Sequence, residues 1–138
     1  AEYAPQDLDA ADRALLVVSR GEHTVTLLNR YPYANAHLLV CPRRHAATLA
    51  TLSDAEHLEA GRELARWTAT LERVVNASGF NVGLNLGAVA GAGVPGHLHW
   101  HVLPRWPGDH NFLPTTAGVR VIPQSLHATW SLLREAAT

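Results

Sequence analysis

The segment at residues 97–103 alternates histidine with apolar side chains. Residues two apart share one face of a β-strand, so this pattern predicts a strand with two unlike faces. The apolar face packs on a core, while the opposite face presents imidazoles at intervals of about 6.5 Å, twice the rise per residue. The chain must therefore form a sheet with one covered face here. The imidazoles belong to His97, His99 and His101, and the apolar side chains to Leu98, Trp100 and Val102.

Other short apolar runs predict the remaining strands of that sheet. They lie at residues 14–18, 24–28, 37–41 and 80–86. The first two runs are separated by Ser-Arg-Gly-Glu, which predicts a hairpin. The last run alternates apolar residues with Asn81, Gly83 and Asn85, a spacing typical of a strand. With the histidine strand, these runs predict about five strands.

Two segments are predicted to be helical. Ser53 and Glu56 have the spacing of a capping box, so a long helix is expected over residues 54–78, with Gly79 at the position that ends it. A C-terminal helix is expected over residues 123–136, because a proline opens it. The order β-β-β-α-β-β-α predicts an α+β fold, with an antiparallel sheet and the helices on one side.

Length and composition narrow the class of protein. The 138 residues predict one domain over residues 1–138, with residues 1–13 as a loosely ordered N-terminal extension. The net charge of −1 gives no bulk electrostatic signal for a nucleic acid or a membrane surface. The lone Cys41 excludes an internal disulfide and fits a reducing, cytoplasmic location. No segment has the uninterrupted apolar length of a bilayer span.

A row of three imidazoles has three interpretations. One is an exposed face that tolerates histidine, and another is a zinc site, although no carboxylate or cysteine accompanies the strand. The third is nucleophilic attack on phosphorus, in which one ring nitrogen attacks and the other donates its proton to a fixed acceptor. The Gly-Ala-Gly run at residues 91–93 can bring backbone N–H groups close to a phosphate. The pattern favours the nucleophile.

The segment 97–106, His-Leu-His-Trp-His-Val-Leu-Pro-Arg-Trp, resembles the His-φ-His-φ-His-φ-φ motif of the histidine-triad (HIT) superfamily. Residues 28–40 look like the nucleotide-binding strand–loop–strand of that family, and residues 79–87 look like the strand before its triad loop. Residues 104–112 and 121–124 are similar to bacterial diadenosine tetraphosphate phosphorylase-like and fragile histidine triad-like proteins. The resemblance runs from about residue 14 to the C-terminus and implies a HIT-like fold.

The resemblance implies roles for four histidines. His99, the middle one, would attack the α-phosphorus and hold the nucleotidyl group. His101 would contact the α-phosphate oxygens. His97 and His37 would form a supporting shell that orients His99.

The resemblance also implies a set of nucleotide-binding residues. Some would hold the nucleoside, with Asn29 at the ribose hydroxyls and neighbouring side chains near the base. Others would hold phosphate oxygens, in or near the Gly-rich loop. The nucleoside set is Leu28, Asn29, Arg30 and Tyr31, and the phosphate set is Asn85, Gly93 and Val94.

The chain departs from the family pattern in two places. Family members often have Gln-Ser or Gln-Thr just before the triad, where this chain has Gly91-Ala92-Gly93-Val94-Pro95-Gly96. Many bacterial relatives have an upstream Cys-x-x-Cys that joins two histidines on a structural zinc. His45 and His97 occupy those histidine positions, but the cysteine pair is missing, so we expect no structural zinc. The triad itself requires no cofactor, and a divalent metal ion would accompany a polyphosphate substrate.

The implied activity is cleavage of dinucleoside polyphosphates through a covalent nucleotidyl-histidine, with water or phosphate as the second nucleophile. The alternatives are a purine nucleoside phosphoramidase and a nucleotide-binding sensor with little turnover. The resemblance further implies a nucleotide substrate and a homodimer, with no nucleic-acid or membrane partner.

Overall fold

The fold is an antiparallel sheet with helices packed on one face. A computed structural model describes residues 5–31, 35–92, 97–109 and 123–137. Within these residues the elements, in chain order, are helix α1 (Pro5–Leu15), strands β1 (Val17–Arg20), β2 (Thr24–Leu28) and β3 (Leu38–Pro42), helix α2 (Asp54–Val75), strands β4 (Gly79–Gly83) and β5 (Trp100–Arg105), and helix α3 (Pro123–Ala136). The sheet has the strand order β1-β2-β3-β5-β4, with antiparallel neighbours throughout. The predicted α+β class and five-stranded sheet are confirmed.

The core lies between the sheet and helices α2 and α3. Leu28, Leu38 and Val102 stand opposite one another in adjacent strands, so their side chains enter the core together. Trp67 of α2 is fully buried against them. Trp130 of α3 joins the same cluster, and its Nε1–H donates to the carbonyl of Val17 at 2.8 Å. The sheet face away from α2 and α3 is left for the site.

Helix α2 begins as the sequence predicts and ends earlier than expected. Ser53 and Glu56 form both bonds of the capping box, and Arg44 beside Glu56 lowers the pKa of that carboxyl to about 2. The helix stops at Val75 because Asn76 adopts the left-handed conformation at φ 54°, which asparagine tolerates. The predicted end at Gly79 is wrong, since that residue opens β4.

The expectation of a loosely ordered N-terminus is wrong for residues 5–13, which belong to α1. The carboxylate of Asp12 is 2% exposed and accepts bonds from Arg20 at 2.6 Å and Arg134 at 2.9 Å. These contacts join α1 to β1 and α3. The predicted strand at residues 14–18 is correspondingly shifted, because α1 continues to residue 15 and β1 starts two residues later.

The strands around the Gly-rich connection are shorter at the loop side than predicted. The strand expected at residues 97–103 starts at Trp100, where its ladder with β3 begins, so His97 and His99 precede it. The strand expected at residues 80–86 leaves the sheet after Gly83, the last partner of β5. In the described part of the chain, no helix has the length and apolar character to cross a membrane.

Candidate functional site

A cleft of about 530 Å³ opens on the sheet face away from α2 and α3. Its volume lies within the range of small-molecule sites. The residues that line it come from the ends of β2 and β3, from β5 and its approach, and from β4 and the turn after it. They are Asn29, Tyr31, His37, His99, His101, Leu103, Asn81, Val82, Gly83, Leu84, Asn85 and Gly91.

Strand register sets the order of these side chains across the cleft. His101 pairs with Leu39 of β3 on one side and with Gly83 of β4 on the other. Leu103, two residues along the same strand, pairs with Asn81. The triad histidine on β5 therefore has β3 on one side and β4 on the other.

His99 is held by a backbone carbonyl. Its Nδ1 lies 3.1 Å from the carbonyl oxygen of His97, which can only accept a hydrogen bond. Nδ1 therefore bears the proton, and the lone pair of the neutral ring is on Nε2. The ring of His97 instead lies against His45, with centroids 5.4 Å apart. His97 thus orients His99 through its backbone rather than through its imidazole.

A chain of hydrogen bonds fixes the proton of His101. The backbone N–H of Tyr31 donates to Asn29 Oδ1 at 3.0 Å, which turns the Asn29 amide nitrogen towards His37. That nitrogen lies 3.2 Å from His37 Nδ1, so Nδ1 accepts and the His37 proton is on Nε2. His37 Nε2 then donates to His101 Nδ1 at 2.9 Å. His101 is left with its proton on Nε2.

His37 therefore acts on His99 through another ring. The bond of His37 goes to His101, whose ring meets that of His99 edge to face with centroids 5.0 Å apart. Of the two residues expected to support His99, His37 bonds to His101 through its side chain and His97 supplies its backbone carbonyl.

Burial favours the neutral form of the rings of His37, His97 and His101 by lowering their pKa values. Burial first, and then the neighbouring His101 and His99, lower the pKa of His37 from 6.5 to about 4. The pKa of His101 is also lowered, first by burial and then by His99. Burial and His45 lower the pKa of His97. Neutral imidazoles can accept one hydrogen bond and donate another, which the chain from Asn29 to His101 requires.

Two of the four residues predicted to contact the nucleoside line the cleft, and two do not. Asn29 and Tyr31 line the cleft. Leu28 is buried in the core on the opposite face, and its side chain does not line the cleft. The guanidinium of Arg30 donates to the carbonyl of Ala14 at 2.8 Å, outside the cleft lining. Its contact with the base stays a prediction.

Of the predicted phosphate contacts, Asn85 lies in the cleft lining, and its amide donates to the carbonyl of Gly91 at 3.5 Å. Gly93 and Val94 lie outside the described residues. Sequence reasoning missed Asn81 and Gly83 as site residues. Their alternation with Asn85 in the fourth apolar run was the signal that could have found them.

The positions of the family zinc histidines do not form a complete zinc site in the described residues. His45 and His97 lie against each other. No group of three or more His, Cys, Asp or Glu side chains able to hold a metal ion occurs within those residues. The absence of a structural zinc stays a prediction.

Cys41 is buried, which raises the pKa of its thiol to about 12.

A model of the HIT domain matches residues 13–108, which include the five strands of the sheet and the histidines of the cleft. The chain belongs to the HIT family. The predicted family resemblance is confirmed.

Among the relatives of this chain, AP-4-A phosphorylase of Mycobacterium tuberculosis is 44% identical over 123 residues, which are 89% of this chain and 63% of that protein. The chain thus spans less than two thirds of that relative. Asymmetrical bis(5′-nucleosyl)-tetraphosphatase of Schizosaccharomyces pombe is 31% identical over 93 residues, 67% of this chain and 50% of that protein. A hypothetical histidine triad nucleotide-binding protein from Sulfolobus tokodaii superposes with a TM-score of 0.75 at 24% identity, over 93% of this chain and 88% of that one, which confirms the fold.

Proposed function

We propose that the chain is an enzyme that cleaves dinucleoside polyphosphates by transferring a nucleotidyl group to His99. The observation that supports this most is the bond from His99 Nδ1 to the carbonyl of His97, which leaves a lone pair on Nε2 in the cleft. The names of the relatives from Mycobacterium tuberculosis and Schizosaccharomyces pombe support the substrate class.

The reaction has two displacements at one phosphorus. His99 Nε2 attacks the α-phosphorus and forms a P–N bond, while the P–O bond to the remaining phosphates breaks and its electron pair leaves on oxygen. Water or inorganic phosphate then attacks the same phosphorus, and the P–N bond breaks, so its electron pair returns to Nε2. Each step uses one nucleophile and one leaving group, as covalent catalysis requires.

The surrounding groups stabilise the charges of these steps. While the nucleotidyl group is attached, the ring of His99 has a positive charge, and its Nδ1–H points at the carbonyl of His97. The Nε2–H of His101 donates to a phosphate oxygen as negative charge builds up there. The hydrogen bonds from Asn29 to His37 and from His37 to His101 ensure that Nε2 of His101 bears the proton.

We propose that the substrate arrives as a complex with a divalent cation. Among the described residues that line the cleft, none has a permanent charge. The polar groups that a polyphosphate would meet there are imidazoles, amides, a phenol and backbone groups. A cation bound to the distal phosphates would neutralise the charge that these groups leave uncompensated.

The identity of the second nucleophile follows from the products. The phosphorylase name of the Mycobacterium tuberculosis relative supports phosphate. Diadenosine tetraphosphate should then give ADP together with ATP only when inorganic phosphate is present. AMP with ATP, unaffected by phosphate, would instead indicate a hydrolase. Tight binding without turnover would indicate a nucleotide sensor, and preference for adenosine phosphoramidate would indicate a phosphoramidase.

The direct test of the function compares two variants that each replace one histidine with alanine. His99→Ala removes the nucleophile, whereas His57→Ala removes an exposed histidine of α2 outside the cleft lining. Cleavage of diadenosine tetraphosphate should disappear in the first variant and persist in the second. Equal cleavage by both variants would refute the proposal.

We also propose a homodimer. Strand β4 is last in the strand order, and its Val82 is 46% exposed. An exposed edge strand presents backbone groups that can pair with another chain. Sedimentation should give twice the monomer mass, and Val82→Asp should lower it towards the monomer mass. The cytoplasmic location and the lack of nucleic-acid and membrane partners stay predictions.

A further inference from the structure

The cleft continues on both sides of the reacting histidines. On the β2 side its lining includes the aromatic ring of Tyr31, which is 82% exposed. On the β4 side the described lining has no aromatic ring, and it includes Asn81 and Gly83. A dinucleotide attacked at an α-phosphorus has one part on each side of the reacting atom. The two ends of this cleft therefore meet different parts of the substrate.

Gly83 leaves open space beside His101. The two residues pair across β4 and β5, and on its other side His101 has the side chain of Leu39. A Cβ atom built on Gly83 would have no heavy atom within 4 Å, and no positive φ makes glycine necessary at this position. Neither backbone conformation nor packing accounts for glycine here, so a side chain at this position would extend into the cleft.

Asn81 borders that space with an oriented amide. Arg105 Nη1 donates to Asn81 Oδ1 at 2.6 Å. The same guanidinium is fixed by two bonds to Asp109, at 2.9 and 3.1 Å. Because guanidinium only donates, the Asn81 oxygen faces Arg105, and its N–H groups are directed elsewhere. Amide N–H groups bind phosphate and ribose oxygens.

We propose that the β4 side of the cleft, with Gly83 as its floor and Asn81 at its border, binds the leaving nucleoside polyphosphate. The absence of a side chain at position 83 allows a leaving group of this size beside His101. The aromatic end suits the base of the transferred nucleotide, since stacking needs a ring, while the β4 end offers amide donors and free volume to the phosphates of the leaving group. This inference rests on the proposed function and assigns the second half of its substrate.

The test measures binding in a His99→Ala background, which prevents turnover. Gly83→Val fills the space, Gly83→Ala fills part of it, and Gly79→Val is the matched control on the same strand outside the cleft lining. Calorimetry compares AMP, which lacks a leaving group, with diadenosine tetraphosphate. Melting temperatures of all variants establish that they are folded, and Gly83→Ala supplies the result should the valine variant not fold.

Gly83→Val should weaken tetraphosphate binding by about 10-fold or more, because the added volume competes with the ligand, and should leave AMP binding unchanged within about twofold. Gly83→Ala should give a smaller loss in the same direction, and Gly79→Val should change neither ligand. Equal loss for both ligands, or no loss for either, would overturn the assignment. Failure of the parent protein to bind any nucleotide would instead refute the proposed function.

Discussion

His37 Nε2 lies 2.9 Å from His101 Nδ1, and this bond determines which nitrogen of His101 bears its proton. The orientation starts with the backbone of Tyr31 and passes through the Asn29 amide. A side chain at the end of β2 is thereby linked to the group that faces the substrate on β5. The carbonyl of His97 fixes the other reacting ring in the same way.

Replacing His37 should slow catalysis without removing the nucleophile. In His37→Phe the ring volume is kept, but His101 Nδ1 loses its donor and the Nε2 proton is no longer fixed. The loss of a buried hydrogen bond, worth about 1–3 kcal/mol, predicts a fall in kcat of about 5- to 150-fold, with a smaller change in KM. Steady-state kinetics on diadenosine tetraphosphate measures both.

His45→Phe is the matched control for that variant. His45 contacts the ring of His97 and does not line the cleft. Its kcat should stay within about twofold of the parent value, as for substitutions away from the site. A similar loss of kcat in both variants would show that the bond from His37 to His101 has no special role.

Stability should fall on mild acidification. Burial lowers the pKa of His37 from 6.5 to about 4, so the unfolded chain binds a proton at a pH where the folded chain does not. The stabilisation is complete above pH 6.5 and is lost as the pH falls towards 4, with a total on the order of 3 kcal/mol. The lowered pKa values of His97 and His101 act in the same direction.

Urea unfolding at pH 7.5 and at pH 5 measures this loss. The carboxyl of Glu56, with its pKa lowered to about 2, contributes its own loss only below pH 4.5, its ordinary pKa, so the interval above pH 5 reports on histidines. His37→Phe should show a flatter dependence than the parent chain. The same slope in both proteins would contradict the burial of a neutral His37.

Asp12 should be important for stability although it is far from the site. Asp12→Ala leaves the guanidinium groups of Arg20 and Arg134 without their shared carboxylate. Both arginines are partly exposed, so the expected loss is about 2 kcal/mol rather than the larger cost of a fully buried pair. Asp9→Ala, at an exposed carboxylate 3.9 Å from Arg134, should cost less than about 0.5 kcal/mol. Urea unfolding compares the two, and equal losses would mean that α1 is not held by Asp12.

The sheet was predictable because its strands follow local patterns. Alternation at Trp100 and Val102 identified the buried face of β5, and the capping box at Ser53 identified the start of α2. The sequence did not predict helix α1 because the contacts that hold it are tertiary. The carboxylate of Asp12 accepts hydrogen bonds from arginines of β1 and α3. The local signal of α1 was Pro5 followed by a run without glycine or further proline.

The sequence predicted which residue types form the site, but not which hydrogen-bond partners hold them. The alternation at residues 97–103 indicated shared imidazoles, yet His97 and His99 precede the strand, and only the backbone path shows that a carbonyl holds His99. The family resemblance implied a place near the base for Leu28, but the side chain of Leu28 packs in the core on the other face of the sheet. The bond from His37 to His101 spans 64 positions of the chain, which no local pattern encodes.

Trapping the covalent intermediate tests the role of His99 most directly. The protein is mixed with diadenosine tetraphosphate labelled in the adenosine and α-phosphate, quenched in alkali to preserve a P–N bond, and digested for peptide mapping. The label should lie on His99 and be absent from the His99→Ala protein. Turnover without bound label, or label on another residue, would contradict a nucleotidyl-His99 intermediate.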